Sequence, residues 1–154
     1  MTIAIFDLDE TLLGGDSDEL WCEYLISARL VDADTVNRVI SDLMAKYRAG
    51  QLSTEADFAD YYSFYTLLHP DTRKAHQKLF FERMVRPRLL DRALYAVKRH
   101  QTLGHTVLVV TATTSFLARP TADFVEANGL LATELELADG VFTGKVVGPL
   151  CFRE

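Results

Sequence analysis

No stretch of this 154-residue chain forms an apolar run of membrane-spanning length, and its start, Met-Thr-Ile-Ala-Ile-Phe-Asp, lacks the basic residues and long apolar segment of a signal peptide. The expectation is a cytoplasmic protein with no membrane partner. Cysteine is scarce: Cys22 and Cys151 stand far apart and outside any Cys-x-x-Cys pattern, which argues against a disulfide framework or a zinc site and for two buried, reduced thiols. Positive charge is scarce as well. Against 22 acidic residues there are 16 basic ones, giving a net charge of −6 with no basic stripe, so nucleic acid is not expected as a partner. Repeats and low-complexity segments are absent. What is present is 49% apolar and 25% charged side chains, an ordinary globular composition. A chain of this size buries roughly two-thirds of its unfolded surface, enough for one domain or one domain with a compact insertion.

The run Ile3-Ala4-Ile5-Phe6 is short, apolar and rich in β-branched residues, and it stops at Asp7-Leu8-Asp9-Glu10-Thr11, as a buried parallel strand entering a loop does. From Asp16 the period becomes helical. Leu20, Trp21, Tyr24, Leu25 and Ala28 share a face, with Asp16 or Ser17 as its cap. Val36, Val39, Ile40, Leu43 and Tyr47 mark a second helix closed at Gly50. A third is expected from Ser53 or Thr54, with Phe58, Tyr61, Tyr62, Tyr65 and Leu68 as its stripe and His69-Pro70 as its end. A fourth spans Asp71 to Val85, and a fifth carries Leu90, Ala93, Leu94 and Val97 and closes near Gly104. Strand character returns over Thr106 to Thr111. A helix is expected to begin near Pro120 and stop at Asn128-Gly129, followed by a strand over Leu130 to Leu137, a tight turn at Asp139-Gly140 and a return over Val141 to Thr143. The pattern is βαβαβ with its first crossover expanded into helices.

Asp7 and Asp9, two apart at a strand end, project to the same side in extended backbone. Their mutual repulsion is relieved by protonating one of them or by a hard cation such as magnesium. Aspartates after strands also cap turns, so the pair alone leaves both readings open. Thr111 ends a second apolar strand. Its hydroxyl, with the backbone N–H of Ala112 and its successors, suits phosphate oxygens, although a threonine-rich turn satisfied by local hydrogen bonds is the plainer alternative. Two strand ends converging on one place favour the site.

At these residues the chain resembles a known family. Ile5-Phe6-Asp7-Leu8-Asp9-Glu10-Thr11-Leu12 is similar to the first motif of the haloacid dehalogenase superfamily, and Val109-Val110-Thr111-Ala112-Thr113 to its second. The helical insertion directly after the first motif resembles the cap of its phosphoserine phosphatase-like branch. The resemblance implies a Rossmann-like α/β core, a three-layer fold around a parallel sheet, with an all-helical cap inserted after the first strand. The core would be residues 1–13 and 87–154 and the cap 14–86. It also implies a magnesium-dependent phosphomonoester hydrolase acting on a small phosphorylated metabolite. Asp7 would be the nucleophile forming an aspartyl-phosphate, Asp9 the general acid and base, and both would serve the metal. Thr111 and Ala112 would hold the phosphoryl group. Asp16, nine residues after Asp7, occupies the register in which phosphoserine phosphatases carry a carboxylate facing the substrate's ammonium. Helix capping explains the same residue without a ligand. Trp21 and the tyrosines at 61, 62 and 65 would line the cap pocket or, as such stripes more often do, form core. The four histidines receive no role.

A third-motif lysine and fourth-motif aspartates are also implied by the resemblance, and no match to either stands in the 154 residues. Lys145 reads as a solvated hairpin residue. The expectation is therefore a chain truncated at its C-terminus, with Ile3 to Phe6 left as an exposed apolar edge open to self-association. The alternative to the hydrolase is a catalytically inactive phosphate-binding or interaction domain.

Overall fold

In the computed structural model, which describes residues 1–52, 54–149 and 151, four strands form one sheet in the order β1-β2-β3-β4. They are β1 (Ile3–Phe6), β2 (Thr106–Thr114), β3 (Gly129–Ala138) and β4 (Val141–Val147). The first three pair in parallel, Ile3 to Phe6 lying beside Thr106 to Val109. The hairpin adds β4 antiparallel to β3, turning through Asp139 and Gly140 at φ 50° and 80°. Positive φ at both central residues is the geometry an Asp-Gly dipeptide favours.

Among the described residues six α-helices accompany the sheet: α1 (Ser17–Ser27), α2 (Ala33–Arg48), α3 (Ala59–Ser63), α4 (Pro70–Phe80), α5 (Asp91–Thr102) and α6 (Ser115–Phe124). No helix among the described residues is long and apolar enough to cross a membrane. Two successive right-handed crossovers in the order β1-β2-β3 place α5 and α6 on one face of the sheet. Gln101 of α5 accordingly donates to the Val125 carbonyl at the end of α6, at 2.7 Å. Beneath them Ala4, Val107 and Val109 are buried. The opposite face is bare among the described residues: Ile3, Ile5 and Leu131 are 48%, 65% and 57% exposed.

The helices between β1 and α5 bury their stripes against one another and against α6. Trp21, fully buried, stacks on Tyr24 and Tyr65 with ring centroids 5.3 and 5.7 Å apart, and meets Phe80 and Phe116 edge-on at 5.2 and 5.6 Å. Truncating such a side chain costs about 3–5 kcal/mol. The chain enters and leaves this region side by side. Gly14 N–H donates to the Arg88 carbonyl at 2.8 Å and Leu90 N–H to the Leu12 carbonyl at 2.9 Å.

Several elements differ from the sequence expectation. The third helix is three short pieces: 3₁₀ turns at Glu55–Phe58 and Phe64–Leu67 flank α3. The i, i+3 spacing of Tyr62, Tyr65 and Leu68 suits three residues per turn as well as it suits an α-helix. Ser53, one of its two expected starts, lies outside the described residues. The fourth helix ends at Phe80 and continues as a π turn over Phe81–Val85. Strand β2 runs on to Thr114, so Thr111 lies inside it. Helix α6 begins at Ser115 and carries Pro120 in its interior. Of the two thiols Cys22 is buried and Cys151 only partly so.

Candidate active site

The loop after β1 folds back on Leu8, whose carbonyl accepts N–H groups from Thr11, Leu12 and Leu13 at 3.3, 3.0 and 2.9 Å. Glu10 sits at φ 55° within it. This tight turn presents Asp7 and Asp9 at the carboxyl end of β1, one and three positions past the last paired residue, Phe6. Asp7 is exposed, and its Oδ1 accepts the Leu8 N–H at 2.7 Å. Asp9 is half-buried and held by the start of α1: Oδ1 accepts Ser17 N–H at 2.8 Å and Oδ2 accepts the Ser17 hydroxyl at 3.1 Å. Burial pushes the Asp9 carboxyl up to about 7, against the pull of the Ser17 hydrogen bonds and with a smaller push from Asp18 and Asp16. A carboxyl poised there exchanges a proton near neutral pH.

Beside this turn a cavity of about 400 Å³ is lined by Asp9, Asp16, Asp18 and Glu19, by side chains of α2 and α3, and by Ala112, Thr113 and Thr114 of β2. It takes in five of the residues singled out from sequence, Asp9, Asp16, Ala112, Tyr61 and Tyr62. Asp7 and Thr111 stand outside its lining. Thr111 is buried, its hydroxyl accepting Thr113 N–H at 3.4 Å.

Asp16 caps α1, its Oδ1 accepting the N–H groups of Asp18 and Glu19, both at 2.9 Å. Trp21 belongs wholly to the aromatic core, the commoner outcome for such a stripe. Histidines that carried no expected role have structural ones: His69 caps α4, His76 meets the Tyr24 hydroxyl at 2.8 Å, and His100 and His105 pair at 2.9 Å.

The carboxylate that composition and motif spacing did not single out is Asp18. Its Oδ1 accepts the Tyr61 hydroxyl at 2.6 Å and the Thr113 hydroxyl at 2.9 Å, tying α1 to α3 and to β2. Burial lifts this carboxyl to about 6, opposed by the Tyr61 hydrogen bond and reinforced by the Asp16 charge. One signal pointed to it: Asp18, Trp21, Cys22 and Leu25 recur at i, i+3, i+4 and i+7, which puts a carboxylate on the inward side of α1.

A parallel sheet with two carboxylates at the end of its first strand, and helices inserted directly after them, is the architecture of a hydrolase class that the comparisons define. The sequence profile of the haloacid dehalogenase-like hydrolase family matches residues 4–154, and the chain belongs to that family. A histidinol-phosphatase of Neisseria meningitidis serogroup C (strain 8013) is 30% identical over 159 residues, spanning 99% of this chain and 69% of that protein. A solved protein of unknown function from Bordetella pertussis Tohama I is 34% identical at a TM-score of 0.89, over 99% of this chain and 70% of the other. A phosphoserine phosphatase solved as a phospho-aspartyl intermediate analogue shares the fold at a TM-score of 0.61 and 19% identity, over 96% and 63% of the two chains.

Proposed function

We propose that the protein is a phosphomonoester hydrolase in which Asp7 attacks phosphorus and Asp9 protonates the leaving alcohol, then takes a proton from the water that releases phosphate. The observation that carries this reading is the difference between two carboxylates two residues apart. Asp7 is exposed at the strand end, whereas Asp9 is half-buried, gripped by Ser17 and pushed up to about 7. One suits a nucleophile and the other a proton shuttle. The phospho-aspartyl analogue seen in a phosphatase of the same fold supports the covalent route. Thr111 and Ala112, inside β2 and before its end at Thr114, are assigned to the phosphoryl group.

Magnesium is the cofactor this reading names. Two carboxylates with a free oxygen between them and the solvent suit a hard cation that keeps several waters, and here Asp7 offers the free oxygen while both Asp9 oxygens are engaged by Ser17. The residues therefore fit a lightly held cation with Asp7 as its side-chain ligand. Among the described residues no cluster of three or more acidic, histidine or cysteine side chains forms a closed metal cage. When bound, the ion would neutralise charge on the phosphoryl oxygens.

Residues 14–86 are assigned as a cap over a core of 1–13 and 87–154, supported by the paired backbone at Gly14–Arg88 and Leu12–Leu90. The substrate is a small phosphorylated metabolite, and the name of the neisserial relative points to an amino-alcohol phosphate. Release of inorganic phosphate from 4-nitrophenyl phosphate, with and without magnesium, tests the reading. Wild-type turnover abolished in Asp7→Asn supports it; release that persists in that variant, or none from any phosphomonoester, overturns it.

A further inference from the structure

Resting on the hydrolase reading, we infer that Asp18, not Asp16, is the specificity-determining carboxylate of the cavity, and that it selects phosphomonoesters of amino alcohols with a sizeable apolar or aromatic body. Asp16 is exposed, and its Oδ1 bonds only within the first turn of its own helix, α1, so no other described element fixes it. Asp18 is held from two sides by Tyr61 and Thr113, and both donors meet Oδ1. Its Oδ2 receives no donor from the described residues, so a fixed carboxylate edge is left for a ligand.

The surroundings say what that ligand carries. Asp9, Asp16, Asp18 and Glu19 all line the cavity, and among the described residues none that lines it is basic. A partly desolvated carboxylate set with no protein cation favours a ligand that brings its own positive charge. The same lining includes an apolar wall of Ile40, Leu43 and Met44 of α2 and Phe58 before α3. A volume of about 400 Å³ lies within the usual range for small-molecule sites. An ester as short as phosphoserine would pair its ammonium and leave this wall bare, whereas a ring or chain beyond the amine would cover it.

Three esters separate these elements on the full chain: L-histidinol phosphate carries ammonium and ring, O-phosphoserine ammonium without the body, and 4-nitrophenyl phosphate a ring without the cation. The wild type is expected to prefer histidinol phosphate in kcat/KM. Asp18→Asn, which keeps the size and the acceptor for Tyr61 and Thr113, is expected to raise KM for that ester at least about tenfold and to cut the kcat/KM ratio of histidinol phosphate to 4-nitrophenyl phosphate by a similar factor. Calorimetric binding of free histidinol reads the same pocket without turnover, so it distinguishes a wrong subsite from a wrong reaction. Histidinol binding that weakens at least about tenfold in Asp18→Asn upholds the inference even if no ester is cleaved. Equal loss on all three esters, a wild-type preference for the neutral ester, or histidinol bound equally by both proteins overturns it.

Discussion

The side-chain amide of Gln77 donates to the Phe116 carbonyl at 2.6 Å, and that carbonyl is the one Pro120 leaves without its i+4 partner inside α6. A residue on α4 thereby repairs the backbone of another helix. Losing a buried carbonyl's partner costs about 1–3 kcal/mol. Gln77→Ala is therefore expected to destabilise the protein by roughly that amount in urea denaturation, and Pro120→Ala, which restores an N–H for Phe116, to remove most of the loss. Equal costs of Gln77→Ala in both backgrounds would show that the contact is incidental.

The same relationship explains what the sequence could and could not show. Pro120 reads locally as a helix start, because nothing nearby hints that a glutamine thirty-nine residues before Phe116 supplies the missing partner. Strands β1 and β2 were legible because continuous β-branched runs ending at polar residues admit few other readings, and the Asp139-Gly140 hairpin because few other dipeptides tolerate two positive φ values. The aromatic stripe of residues 58–68 was legible as buried but not as broken, since i+3 spacing fits both helix types. Within the site, Asp7 and Asp9 stand out in the sequence only together with the second strand at Thr111. The division of labour between Asp16 and Asp18 does not stand out, because it depends on Thr113, ninety-five residues away.

Asp18 links stability to pH in a direction opposite to that of a paired surface carboxylate. Its folded value is raised from 3.8 to about 6. Below pH 3.8 it is protonated in both states and contributes nothing; between the two values the unfolded chain ionises first, and above about 6 the penalty is complete. Asp18→Asn is expected to raise stability at pH 8 by roughly 1–3 kcal/mol relative to wild type, with the gain vanishing below pH 4. Parallel denaturation curves at the two pH values decide it, and a gain independent of pH refutes the assignment.

Ser17 holds both Asp9 oxygens and, on the proposed mechanism, positions that carboxyl. Its hydroxyl lowers the Asp9 carboxyl against the effect of burial, so Ser17→Ala should move the proton-shuttle limb of the pH–rate profile upward from near 7. Asp9→Asn should instead cut kcat about 10²–10⁴-fold with no limb to move. A fall in kcat for Ser17→Ala with an unchanged profile would assign Ser17 to structure alone.

We propose that the sheet face left exposed among the described residues supports self-association. Ile5 is 65% exposed on edge strand β1, and Leu131 is 57% exposed on the same side of β3. Sedimentation velocity across a concentration series is expected to show association that Ile5→Lys with Leu131→Lys suppresses. Identical, concentration-independent profiles for both proteins would refute it.

The two hydrogen bonds that stitch Gly14 to Arg88 and Leu90 to Leu12 make the number of residues between those points invisible to the sheet. The inserted segment is tied to the strand ends elsewhere, through Ser17 on Asp9 and through Thr113 on Asp18. A helical segment of different length and lining, grafted between the same two anchor points, would therefore leave the sheet's pairing in place while resetting the environment of Asp9, so pocket shape and proton affinity would change together.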